Sequence, residues 1–262
     1  MRLSALAYYA RSIPKVLFGF RPLPQVIGLF LGKSTGQPLT ITLRASGLKY
    51  RVRTAMDVWV IKETCLDRDY ERGALLQTDW TIIDIGAGLG DFTAYAAWLS
   101  PNGTVLAYEP FPESFALLKQ NLELNHVRNV EAQPYAVAAA PGKLRLNIGS
   151  EHAVQHTTTE EGARTIEVPA ITLESIFVDQ AVTGCDLLKM DVEGAEYGIL
   201  LNASADTLRK IKRIALEYHD HTPAGTHQQL RDCLTKHGFE VKLHPNPVHD
   251  HLGYLYAERR DE

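Results

Sequence analysis

The stretch Asp84-Ile85-Gly86-Ala87-Gly88-Leu89-Gly90 decides how the chain folds. It follows an apolar run, Thr81–Ile85, and precedes a helical pattern, Phe92–Leu99, so it reads as the turn between a buried strand and a helix. Glycines at alternate positions let the backbone turn sharply and approach a ligand closely. The carboxyl end of a strand in an open α/β sheet is also where nucleotide-like ligands bind.

Working outward, Pro101-Asn102-Gly103 makes a turn and Thr104–Tyr108 a second strand. Residues Pro112–Asn125 are helical, with apolar positions at Phe115, Leu118 and Leu122, and Asn129–Gln133 is a short third strand. A less regular excursion runs from Lys143–Ile148 through the polar stretch Gly149–Gly162 to Thr165–Val168. Then come a buried strand (Cys185–Met190), a helix (Ala195–Leu201), a strand (Ile211–Tyr218), a helix (Thr226–His237) and a closing pair (Gly238–Leu243 and Leu252–Ala257). This alternation predicts an α/β fold: a doubly wound, Rossmann-like, seven-stranded, mostly parallel sheet with an antiparallel closing strand.

The chain of 262 residues has a net charge of −4, which conceals an asymmetry. Nine basic residues and no acidic one precede Asp57. Residues 1–56 are therefore expected to form a basic N-terminal extension of helical segments, with a hairpin suggested by the alternation between Thr40 and Val60, and residues 57–262 the main domain. The apolar stretches Ile13–Phe20 and Val26–Leu31 fall short of the roughly 20 residues of a membrane span. Pro14, Arg21, Pro22 and Pro24 argue against a signal peptide. Cys65, Cys185 and Cys233 are too scattered for a disulfide framework or a zinc site, so a reducing, cytoplasmic location is expected. With Tyr8, Tyr9, Phe18, Phe20 and Phe30, the basic segment suits peripheral contact with an anionic membrane, a lid, a homo-oligomer contact or a disordered extension, with a plain solvated or packing role favoured over each. The acidic body and the lack of an RNA-binding module speak against nucleic acid as a partner.

A dinucleotide fingerprint needs a third glycine where this chain has Asp91, a carboxylate badly placed beside a pyrophosphate. S-Adenosylmethionine has no phosphate and carries positive charge, so acids near the loop suit it. Glu109, ending the second strand, can accept hydrogen bonds from both ribose hydroxyls.

Asp191, Glu193, Glu217, His219 and His221 fall at the ends of the fourth and fifth main strands, where an acceptor would meet the cofactor. Asp191 is favoured as functional over a cap for the helix near Gly194, whereas Glu196 reads better as a first-turn acid beside a helix dipole. His219 is a candidate proton acceptor that Glu217 or Asp191 could orient. Such a group also admits a divalent ion such as Mg²⁺. His249 and His251 form a less favoured metal pair.

The motifs Glu109-Pro110-Phe111-Pro112, Asn121-Leu122-Glu123-Leu124-Asn125, Leu188-Lys189-Met190-Asp191-Val192-Glu193-Gly194-Ala195-Glu196 and Leu216-Glu217-Tyr218-His219 resemble the FkbM family of class I methyltransferases, over roughly residues 57–220. The resemblance implies methylation of a hydroxyl on a sugar, glycolipid, polyketide or other secondary metabolite. It implies cofactor contacts at Asp84, Gly86, Gly88, Gly90 and Glu109, with Phe111 and Ala136 flanking the adenine and the Glu63 to Tyr70 segment capping the pocket. Catalysis is expected from Asp191, His219 and Glu217. The competing readings are an RNA or protein methyltransferase and a non-catalytic S-adenosylmethionine-binding assembly protein.

Overall fold

The computed structural model describes residues 3–33, 36–148, 164–220 and 225–260. In chain order the elements are α1 (Leu3–Gly19), β1 (Phe20–Arg21), α2 (Leu23–Phe30), β2 (Leu39–Leu43), β3 (Lys49–Val52) and α3 (Ala55–Lys62). Next come β4 (Thr81–Ile85), α4 (Asp91–Leu99), β5 (Thr104–Tyr108), α5 (Pro112–Leu124), β6 (Val130–Gln133), β7 (Ala136–Val137), β8 (Gly142–Ile148), β9 (Arg164–Ile171) and α6 (Leu173–Asp179). The last are β10 (Leu187–Met190), α7 (Glu196–Asn202), α8 (Ala205–Arg209), β11 (Arg213–His219), α9 (His227–Lys236), β12 (Phe239–Pro245) and β13 (Leu252–Arg259).

The main sheet has the order β12-β13-β11-β10-β4-β5-β6. Strands β4, β5, β6, β10 and β11 run parallel, and β13 is antiparallel to both β11 and β12. The seven strands and the antiparallel closing strand agree with the sequence reading. Order reverses between β4 and β10, because β5 follows β4 on one side and β10 returns on the other. That switch point opens a crevice at the strands' carboxyl ends, where Gly86 and Asp191 meet.

Two regions differ from their sequence expectation. Val58 and Val60 belong to helix α3, although the stretch to Val60 alternates like a strand. A capping box explains this: Asp57 N–H donates to Thr54 Oγ1 (3.2 Å), and Thr54 N–H donates to Asp57 Oδ2 (3.3 Å). The hairpin ends earlier, as β2 and β3. The excursion after β6 is regular where it is described: β8 pairs antiparallel and β7 parallel with β9, forming a small separate sheet. The polar stretch 149–162 and His221 lie outside the described residues.

The boundary drawn between residues 56 and 57 falls inside α3. Val16, Phe20, Val26, Ile41 and Tyr50 share one hydrophobic cluster with Ala94 of α4 and Leu117 and Leu118 of α5. The basic segment thus packs on the helices that cover one face of the main sheet.

Candidate active site

Strand β4 delivers Asp84 to a fully buried position beneath the glycine loop, where a lone carboxylate would be costly. Two partners compensate it: Thr93 Oγ1 donates at 2.6 Å, and Lys189 Nζ lies 3.0 Å from Oδ1. Lys189, itself buried, also donates to the carbonyl of Gly86 at 2.8 Å. One ammonium group thereby ties β4, the loop and β10 together. The loop is pinned on its other side by Gly86 and Ala87 N–H, which donate to the Tyr108 carbonyl at 3.0 and 3.1 Å.

Gly86 needs to be glycine. Its φ is +76°, and a Cβ there would stand 1.8 Å from the Asp191 carbonyl oxygen. Gly88 also has positive φ, but a Cβ there would meet nothing within 4 Å, because this residue borders open space. That space is a cavity of about 1130 Å³.

Glu109 closes one side of the cavity. Its carboxylate accepts Gly88 N–H on Oε2 and Phe111 N–H on Oε1, each at 2.8 Å. Burial pushes its carboxyl up to about 7, against the lowering effect of those two amides. A carboxylate accepting one amide per oxygen keeps further lone pairs for two ligand hydroxyls. Phe111 and Ala136 line the same cavity, as do Glu63 and Tyr70. Tyr8 O–H and Trp59 Nε1–H both donate to Glu63 Oε1, the latter at 2.9 Å, and burial raises the Glu63 carboxyl to about 7.

An acidic cluster surrounds His219 in the cavity wall. Asp191 follows β10, and its Oδ2 accepts from Tyr70 O–H at 3.0 Å. It does not cap α7, whose N-cap is Ala195. Glu193 adopts φ +51°, a conformation that a non-glycine residue seldom takes, and its Oε2 lies 3.4 Å from His219 Nε2. On the other side of the ring, His219 Nδ1 lies 3.0 Å from Glu196 Oε1, which also accepts Val192 N–H. Burial alone would lower the His219 pKa, but Glu196, Glu193 and Asp191 outweigh it, and the ring is pushed up to about 10. The three surrounding acids thus favour the charged form of the imidazole. Glu217, two residues back along β11, lines the cavity and has no hydrogen-bond partner among the described residues. Burial raises its carboxyl well above the usual range, the Asp191 charge adds to that, and His219 opposes it.

Ten of the expected site residues thus line one cavity: Gly86, Gly88, Glu109, Phe111, Ala136, Glu63 and Tyr70 on the cofactor list, and Asp191, Glu217 and His219 on the catalytic one. Asp84 and Gly90 do not reach it. Asp84 acts through Lys189, and Gly90 is needed at φ +84° where a Cβ would press on Leu118. Glu196 had read as a dipole acid, yet it is fully buried and holds His219. Lys189 and Asp91 were not identified as partners. Asp91 accepts from Thr64 Oγ1 at 2.5 Å, and burial raises its carboxyl. The signal available in sequence was a lysine inside the apolar run Leu187–Met190, which must find a buried counter-charge.

Asp191, Glu217 and His219 each offer one ligand atom, all within 4.8 Å of one another, so three side chains could meet a metal ion. His249 and His251 also line the cavity, with ring centroids 5.8 Å apart.

The residues present fit S-adenosylmethionine. Glu109 offers lone pairs for a diol, the open side of Gly88 allows close approach, and the carboxylates at Glu63, Asp191, Glu193 and Glu217 suit a ligand bearing positive charge.

Comparison with known proteins agrees. The chain is 27% identical over 230 residues to the AMB antimetabolite synthetase AmbE of Pseudomonas aeruginosa, covering 71% of this chain and only 11% of that protein. It is 27% identical over 253 residues to the methyltransferase sdnD of Sordaria araneosa, covering 84% of this chain and 96% of that one. It is 25% identical over 221 residues to the 31-O-demethyl-FK506 methyltransferase FkbM of Streptomyces tacrolimicus, covering 72% and 84%. The model of the methyltransferase FkbM domain matches residues 84–241, from the buried aspartate of β4 through the acidic cluster and into β12. The chain belongs to this family of S-adenosylmethionine-dependent methyltransferases.

Proposed function

We propose that the protein methylates a hydroxyl oxygen on a small molecule or glycan, with Glu217 as the proton acceptor. The observation that carries this reading is the Glu217 carboxylate, which faces the cavity without a hydrogen-bond partner among the described residues, beside Asp191 and the His219 cation. S-Adenosylmethionine supplies a methyl group on a good leaving group, so the protein's task is alignment and removal of one proton.

Glu109 holds the ribose, and Gly86 and Gly88 give the ligand close access to the backbone. Asp191, oriented by Tyr70, accepts a hydrogen bond from the acceptor hydroxyl. Glu217 takes the proton in its ionised form, because its carboxylate is the one in this wall left without a hydrogen-bond partner among the described residues. His219, clamped by Glu196 and Glu193, serves as a fixed positive charge that keeps these carboxylates together. This assigns His219 a positioning role. The name of the Streptomyces relative, which places the reacting group on an oxygen, supports a hydroxyl acceptor. The acids in the cavity wall disfavour RNA, whose phosphates need a basic rim.

The test combines S-adenosylhomocysteine release over a panel of hydroxylated compounds with calorimetric titration of S-adenosylmethionine. Glu217→Gln should bind the cofactor within threefold of wild type and lose about 10²–10⁴-fold in kcat, the usual worth of a general base. Wild-type turnover in that variant would remove the assignment. Cofactor binding without turnover on any acceptor would favour the non-catalytic reading.

A further inference from the structure

Helix α1 buries Ala5, Ser12 and Val16 and turns Leu6, Ala10, Ile13, Pro14 and Phe18 outward. Leu6, Ile13 and Phe18 are 52%, 57% and 77% exposed. Helix α2 repeats the arrangement, burying Val26 and Leu29 while Ile27, Phe30 and Leu31 face out. Eight of the twelve exposed large hydrophobic side chains among the described residues belong to residues 1–56. The two helices meet over α3, where the rings of Tyr9 and Phe30 pack 5.9 and 6.5 Å from Trp59. Both helices thus present apolar side chains to solvent on either side of the same tryptophan.

The same two helices and the residues next to them carry positive charge. Arg11, Arg21 and Lys33 are exposed and have no ion-pair partner among the described residues, and residues 1–56 contain no acidic side chain. A second copy of the chain docked face to face would bring the same unpaired cations together. An anionic surface that also accepts apolar side chains relieves both features, and the interface of a bilayer with acidic headgroups is such a surface. Leu6, Ile13, Phe18, Ile27 and Leu31 stand outside the cavity, as side chains entering a fluid interface must, whereas Tyr9 and Phe30 are both exposed and part of the cavity wall. No helix among the described residues is long and apolar enough to cross a membrane, so contact would be peripheral.

We propose that the outward faces of α1 and α2 dock the protein on anionic lipid bilayers, bringing the mouth of the cavity to the membrane surface. Binding combines shallow insertion of Ile13, Phe18 and Leu31 with attraction of Arg11, Arg21 and Lys33 to acidic headgroups. It is independent of the methyl-transfer reading.

The test is co-sedimentation of the full chain with phosphatidylcholine vesicles with and without phosphatidylserine, at low and high salt. Acidic vesicles should bind at least about tenfold more tightly than neutral ones, and salt should abolish the difference. Ile13→Asp with Phe18→Asp should lose binding, as should Arg11→Glu with Lys33→Glu. Val178→Asp, at an exposed apolar position far along the chain, should keep it. All variants should retain wild-type affinity for S-adenosylmethionine, which separates lost docking from lost folding. Equal binding to both vesicle types, or no binding to either, would overturn the proposal. So would a concentration-dependent dimer in sedimentation velocity that Ile13→Asp with Phe18→Asp dissociates.

Discussion

At the scale of single residues, Glu109 carries the clearest consequence. Its free carboxyl sits at about 7, and ribose hydroxyls donating to it favour the ionised form. Binding must therefore ionise Glu109 whenever the pH lies below that value. Affinity for S-adenosylmethionine should be constant above about pH 7 and fall by up to tenfold per unit below it, in calorimetric titrations across pH. Glu109→Gln should flatten that dependence and weaken binding at pH 8 by about ten- to a hundredfold, about 1.4–2.8 kcal/mol. With Glu217 as the proton acceptor and no metal involved, a chelator should leave turnover unchanged. A loss that Mg²⁺ restores would transfer these residues to a metal-binding role. Glu109, Asp191, Glu217 and His219 were legible because a polar residue ending a buried strand beside a glycine loop has few other uses. Glu196 and Lys189 were not, because their importance comes from complete burial against partners distant in sequence.

At the scale of elements, the turn between β4 and α4 separates folding from binding within three residues. Gly86→Ala places a methyl group inside the van der Waals radius of the Asp191 carbonyl, so β4 and β10 must move apart. It should lower the thermal midpoint and abolish cofactor binding together. Gly88→Ala meets no protein atom, so its stability loss should stay near the ~1–2 kcal/mol of a left-handed non-glycine residue, while affinity falls more steeply because the methyl group enters the cavity. Thermal melts and titration of both variants distinguish the two roles. Helix α3 shows where alternation misleads. The Thr54 and Asp57 capping box starts a helix in a stretch with strand-like patterning, and Thr54→Ala should cost about 1 kcal/mol.

At the scale of the whole molecule, the basic N-terminal segment and the sheet are packed as one body. Phe20 is fully buried among side chains that include Ile41 and Leu43, within the cluster shared with α4 and α5. Phe20→Ala should therefore destabilise the protein by about 3–5 kcal/mol, a thermal-midpoint drop of roughly 10 °C, rather than detach a dispensable extension. The strand alternation, the glycine loop, the acid after β5 and the charge asymmetry were all readable in the chain, because periodicity, backbone permissiveness and charge are local properties. Tertiary structure alone decided that Asp84 pairs with the buried Lys189, that His219 is held between Glu193 and Glu196, and that α1 and α2 lie beside the cavity with apolar side chains outward. Each of these depends on which groups burial brings within a few ångströms of one another, and on the water it removes from around them.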